Sequence, residues 1–139
     1  MIYELRTYDA FPGKLPALNA RFANVTLGFF EKYNMKVVGF WTNNVGENTT
    51  NRLIYMLAFD DMAHRERAWK AFGSDPEWQK MRLMPGYADP DIVSNITNFI
   101  VSPLPFSAIR CMEPGGAPSH HRVVGRVSEI DVASSLHTG

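Results

Sequence analysis

A chain of 139 residues with 45% hydrophobic and 20% charged side chains is one domain's worth of globular protein. Fourteen basic and fourteen acidic residues cancel to a formal net charge of zero, so no charge excess draws the chain to nucleic acid or to an anionic membrane. A single cysteine, Cys111, excludes an internal disulfide and suits a reducing compartment; strand-like sequence begins at Ile2 and no apolar run approaches membrane-spanning length, so the expectation is a soluble cytoplasmic protein without a signal peptide.

Ile2-Tyr3-Glu4-Leu5-Arg6-Thr7-Tyr8 is rich in aromatic and β-branched residues and runs to a turn at Pro12-Gly13, which predicts a first strand. Alternation puts Tyr3 and Leu5 on one face and Ile2, Glu4, Arg6 and Tyr8 on the other. Opposite charges on one strand face read first as a structural ion pair or an interface contact, and second as part of a site. From Lys14 to Tyr33, Leu15, Leu18, Phe22, Val25 and Phe29 recur at helical spacing. Pro16 suits the first turn of that long helix, Gly28 is the expected bend and Asn34 a left-handed stop. Met35 to Asn43 holds a second strand, in which Gly39 marks a bulge or a close backbone approach. Asn43-Asn44-Val45-Gly46-Glu47-Asn48 is turn chemistry, and Arg52 opens a third strand, which makes a hairpin.

That third strand organises the rest. Leu53, Tyr55, Leu57 and Phe59 form one face and Ile54, Met56 and Ala58 the other, so both faces are apolar and both must be covered. Asp61 then caps a second helix with a stripe of Met62, Glu66, Trp69 and Phe72, broken at Gly73-Ser74. Asp75-Pro76-Glu77-Trp78 restarts a short helix to about Leu83, with a capping acid and Pro at the first position. A loop from Pro85 to Pro90 leads to a fourth strand, Ile92 to Val101, closed by Pro103 and Pro105. After Ser107 the patterning fades. Residues 1–107 are therefore read as the folded domain, and 108–139 as a linker, Glu113 to Pro118, with an extended or disordered tail. Arg122 to Val127 is that tail's one strand-like run.

The order β-α-β-β-α-β is the ferredoxin-like α+β arrangement. Two helices cover one face of four strands, so the second apolar face calls for another sheet. A twofold homodimer, two sheets face to face in a dimeric α+β barrel, supplies it.

The blocks Ile2 to Tyr8 with Pro12-Gly13-Lys14, Val38-Gly39-Phe40-Trp41-Thr42, Phe59-Asp60-Asp61 to His64-Arg65-Glu66, and Ala68-Trp69 through Phe72 to Asp75-Pro76-Glu77-Trp78 resemble the NIPSNAP family, over about residues 1 to 107. The resemblance implies the same barrel fold. For activity it implies uncharacterised proteins, interaction factors and small-molecule enzymes.

Metal and nucleophile signals are weak. His120-His121 are adjacent and would diverge on a strand, Cys111 has no neighbouring His, and Gly115-Gly116 precedes no helix, so neither a metal nor a cofactor is expected. An aromatic and polar set remains: Tyr3, Trp41, Tyr55, Trp69 and Trp78, with Glu4, Arg6, Arg52, His64 and Arg65. The resemblance implies a small ligand held between helices and sheet, which points to Tyr3, Trp41, Trp69 and Trp78 as substrate-binding residues and to Arg6, Tyr55 and His64 as catalytic ones. For Trp69 and Trp78 the simpler reading is that they fill space beneath the helices. His64 sits in a helix's first turn, where a solvated surface role is the simpler one. The function expected is a small-molecule enzyme acting on an apolar or aromatic substrate in secondary or catabolic metabolism: a cofactor-independent monooxygenase, lyase or isomerase. A ligand-binding or protein-interaction module is the alternative. A homodimer or higher oligomer, a small apolar ligand, and neither nucleic acid nor membrane are the expected partners.

Overall fold

The computed structural model describes residues 1–112 and 118–120. Strand β1 (Ile2–Ala10) lies inside a four-stranded sheet of order β2-β3-β1-β4, with β2 at Lys36–Thr42, β3 at Arg52–Phe59 and β4 at Val93–Val101. Each neighbouring pair is antiparallel. This is the ferredoxin-like order that the alternation of elements implied. In the register, Glu4 lies opposite Leu57 on β3 and Ile100 on β4, and Arg6 lies opposite Tyr55 and Asn98. Opposed residues share a face, so Glu4, Arg6, Tyr8, Tyr55 and Asn98 project together, and Tyr3, Leu5, Met56 and Phe99 project from the reverse side.

The helices cover the first of these faces. Helix α1 (Leu15–Arg21), a π-helical turn (Phe22–Thr26) and α2 (Leu27–Lys32) form one continuous run. The expected irregularity at Gly28 falls earlier, because the Leu27 N–H reaches back to the Phe22 carbonyl and the Thr26 hydroxyl donates to the Arg21 carbonyl at 3.4 Å. Both bonds span five residues, and the wider turn brings Arg21, Phe22 and Thr26 all into the interior. Gly28 lies within α2.

Helix α3 (Met62–Ser74) starts at Asp61, whose carboxylate accepts the His64 N–H at 2.7 Å. Its inward stripe is displaced from the expected one: Met62 and Glu66 are exposed, while Arg65, Ala68, Trp69 and Phe72 face the sheet. The arginine belongs to the stripe because a buried carboxylate waits for it. Asp75 caps α4 (Pro76–Met81) through the Glu77 N–H at 2.8 Å, and its other oxygen accepts from Lys32 at 2.7 Å and from the Tyr33 hydroxyl. A four-residue helix α5 (Asp89–Ile92) lies where a loop was expected, so β4 begins one residue later, at Val93.

Phe22, Phe30, Phe40, Tyr55 and Phe72 make the aromatic centre of the core, with Phe40 stacked on Tyr55 at 4.9 Å between centroids. On the other face, Tyr3 and Ala58 are buried beneath Met1, Val38 and Met56, while Trp41, Phe99 and Val101 stay exposed. Beyond residue 107, β5 (Ile109–Met112) pairs antiparallel with β6 (Pro118–His120). The linker core, residues 113–117, and the run Arg122 to Val127 lie outside the described residues. Among the described residues no helix is long and apolar enough to cross a membrane.

Candidate functional site

Glu4 is fully buried in the sheet floor, and every lone pair of its carboxylate finds a donor. Oε1 accepts from Arg65 Nε at 3.0 Å and from the Trp69 indole at 2.8 Å. Oε2 accepts from Arg6 Nη1 at 2.9 Å, Arg65 Nη2 at 3.0 Å and Asn98 Nδ2 at 2.9 Å. Burial by itself would raise this carboxyl; the bonds from Arg65, Trp69 and Asn98 and the charge of Arg6 override it and lower the pKa to about 2. One carboxylate against two guanidinium groups leaves the cluster with one net positive charge.

Arg6 carries that charge toward the core. Its guanidinium lies 4.6 Å from the Trp69 ring centroid, and Nη2 donates to the Tyr8 hydroxyl at 3.3 Å. Tyr55 donates to the same oxygen at 3.4 Å. Burial, then the neighbouring Tyr8, push the Tyr55 phenol well above its ordinary range, so it remains a donor. Tyr8 thus receives two hydrogen bonds and keeps its own proton to give. Above it, Tyr8, Tyr55, Trp69 and Trp78, with Arg21 and Asp89 at the helix side, enclose a cavity of about 30 Å³ between helices and sheet.

The structure gathers Arg6, Tyr55, Trp69 and Trp78 around this place and sends the other expected site residues elsewhere. Trp41 pairs with Ile54 and so lies on the open sheet face, 46% exposed, its ring over Gly39. Tyr3 is buried on that same open face and lines a separate surface groove with Met56, Leu104 and Ile109. Strand parity is the reason in both cases, since neither residue shares a face with Tyr55. His64 is a strut: Nδ1 accepts the Asp60 N–H at 3.0 Å, Nε2 meets the Asn34 carbonyl at 3.2 Å, and the ring packs edge-on to Phe59. It lines no part of the cavity.

Arg65 stood in the polar set that the sequence offered, and its place four residues before Trp69 puts both on one helix face. Three participants were missed. Arg21 interrupts the apolar stripe of Leu18, Phe22 and Val25, a charge on the wrong side of a helix. Asn98 and Asp89 carry no such mark; only the β4 register and the α5 turn deliver them. Among the described residues no group of His, Cys, Asp and Glu is placed to hold a metal.

A four-stranded antiparallel sheet with helices on one face defines an α+β protein of the dimeric α+β barrel type. The chain belongs to the NIPSNAP family, which it matches over residues 3–108. It is similar to Protein NipSnap homolog 3B of Mus musculus, 34% identical over 86 residues, and to that of Homo sapiens, 31% over 87 residues; each match covers 62% of this chain and 34% of the relative. The chain therefore spans about a third of the length of the curated relatives it matches. In structure it is similar to an uncharacterized NIPSNAP domain protein from Burkholderia xenovorans, with a TM-score of 0.65 and 26% identity over 77% of this chain and 98% of that one. A NIPSNAP family protein from Agrobacterium tumefaciens gives a TM-score of 0.68 at 19% identity, covering 78% and 98%, a likeness of fold alone.

Proposed function

We propose that this NIPSNAP domain is a small-molecule enzyme of the dimeric α+β barrel type, acting without a fixed cofactor on an apolar or aromatic substrate held between helices and sheet. The observation that carries the reading is the Arg6–Tyr8–Tyr55 arrangement: the buried guanidinium and the Tyr55 phenol both donate to the Tyr8 hydroxyl, which leaves its proton for the space that Tyr8 lines with Trp69 and Trp78. Such a phenol stabilises an oxygen on which negative charge develops, as an enolate or a carbonyl under attack requires. Glu4 is the positioning residue beneath, since it fixes Arg6, Arg65 and Trp69 together. The reverse face, with Trp41, Phe99 and Val101 exposed, supports a second copy of the chain as its cover, which completes the barrel.

The test uses the three indole N–H signals, which report different faces. Titrating the full chain with phenol at millimolar concentration is expected to shift the indole N–H signals of Trp69 and Trp78 and spare Trp41. Shifts confined to Trp41 would place the site on the open sheet face. A non-catalytic binding module is distinguished by Tyr8→Phe: in an enzyme the variant still binds and loses turnover.

A further inference from the structure

Arg21 and Asp89 meet in a way that satisfies neither. Arg21, at the end of α1, has a side chain only 5% exposed; its Nη1 donates to the Tyr87 carbonyl at 2.9 Å and to Asp89 Oδ1 at 2.5 Å. Its buried Nε–H has no partner among the described residues. A guanidinium matches a carboxylate best through two parallel N–H bonds. Asp89 instead offers one oxygen to one nitrogen, from a side chain 36% exposed on a four-residue helix.

The other polar groups around the cavity point the same way. Tyr8 has a proton to give, and the Glu4 cluster beneath carries one net positive charge. Among the described residues Asp89 is the one carboxylate of the lining, and its partly exposed side chain faces the buried Arg21. A space of about 30 Å³ has room for water and little more, so a larger guest enters by displacing a wall. From Arg82 to Asp91, the side-chain hydrogen bonds to another element are those from Arg21, while backbone bonds tie the segment to α4 at its start and to the Val93 N–H at its end. The Asp89 side chain, 36% exposed, is the part of the wall with room to swing outward.

We propose that Asp89 is a placeholder on an anion seat: the ligand is a small aromatic or unsaturated carboxylic acid whose carboxylate takes Nε and Nη of Arg21, expelling Asp89. Its ring then lies against Tyr8, Tyr55 and the two tryptophans. The proposal rests on the reading of this cavity as the small-molecule site.

Benzoate and its neutral isostere benzamide, titrated into the full chain with the Trp69 and Trp78 indole signals as readout, test it. Wild type is expected to bind benzoate more tightly than benzamide. Asp89→Asn, which removes the internal competitor, is expected to gain several-fold in benzoate affinity and nothing for benzamide. Arg21→Gln is expected to erase the preference for the acid. Equal binding of the two probes by wild type, or unchanged or weakened benzoate binding in Asp89→Asn, overturns the placeholder and leaves the cavity as a site for neutral ligands. Binding of neither probe by wild type or Asp89→Asn overturns the cavity reading and the placeholder with it. Asp89 is partly exposed, so its variant decides the matter even if Arg21→Gln does not fold.

Discussion

Glu4 shows how a buried charge is held. Its carboxyl falls from an ordinary 4.5 to about 2, a difference of about 2.5 pKa units, equivalent to about 3 kcal/mol. The sign follows from linkage. Because the folded-state pKa lies below the unfolded one, the unfolded chain binds the extra proton, and the stabilisation is complete above about pH 4.5 and lost as pH falls toward 2. Glu4→Gln is expected to lower stability by about 3 kcal/mol near neutrality, since it leaves Arg6 and Arg65 buried without a counter-charge. Urea denaturation from pH 7 down to pH 2 checks both statements: the gap between wild type and variant should close across that window. A constant gap would mean that shape, not charge, holds the cluster.

At the scale of elements, the helix layer hangs on two aspartates with unequal duties. Asp61 caps α3 through a single backbone bond at 2.7 Å, so Asp61→Ala should cost about 1 kcal/mol. Asp75 caps α4 and also ties Lys32 and Tyr33 at the end of the first helical run, and it is buried. Asp75→Ala should therefore cost more than Asp61→Ala, a ranking that thermal melts of the two variants establish directly. Gly39 serves the sheet differently. A Cβ there would stand 2.7 Å from the Trp41 ring, which lies over the glycine on the bulged strand β2. The ring end is exposed and can swing, so Gly39→Ala should shift tryptophan emission while stability falls by about 1 kcal/mol or less.

For the whole molecule, the two faces of the sheet divide the work. One is sealed by helices around the Glu4 cluster; the other presents Leu5, Met56, Trp41, Phe99 and Val101, with Leu104 and Ile109 beside Tyr3 and Met56 at one rim. A second copy covering that face would bury it in the way a sheet-on-sheet core does. Met56→Lys places a charge at its middle. Sedimentation is expected to show a dimer for the wild type and a shift toward monomer for the variant, with helix content kept. A wild type that sediments as a folded monomer at micromolar concentration would leave the barrel unformed and the open face to some other partner.

The sequence by itself determined the element order and the apolar character of both β3 faces, because period-2 and period-3.6 patterns are local and every residue in them votes. It also marked Glu4 and Arg6 as a pair, since i, i+2 residues of a strand must project together. It could not say which way that pair looks. Parity relates residues within a strand but not the strand to the core, so Trp41, Tyr3 and Tyr55 read as one aromatic set until the register of β2 against β3 put Trp41 beside Ile54 and Phe40 beside Tyr55. The π-helical turn was hidden for the same reason: its cause is a five-residue bond that brings Arg21 to the cavity, where Asp89, 68 residues on, completes the contact. Contacts of that span come from tertiary packing alone, and the candidate site is built mostly of them.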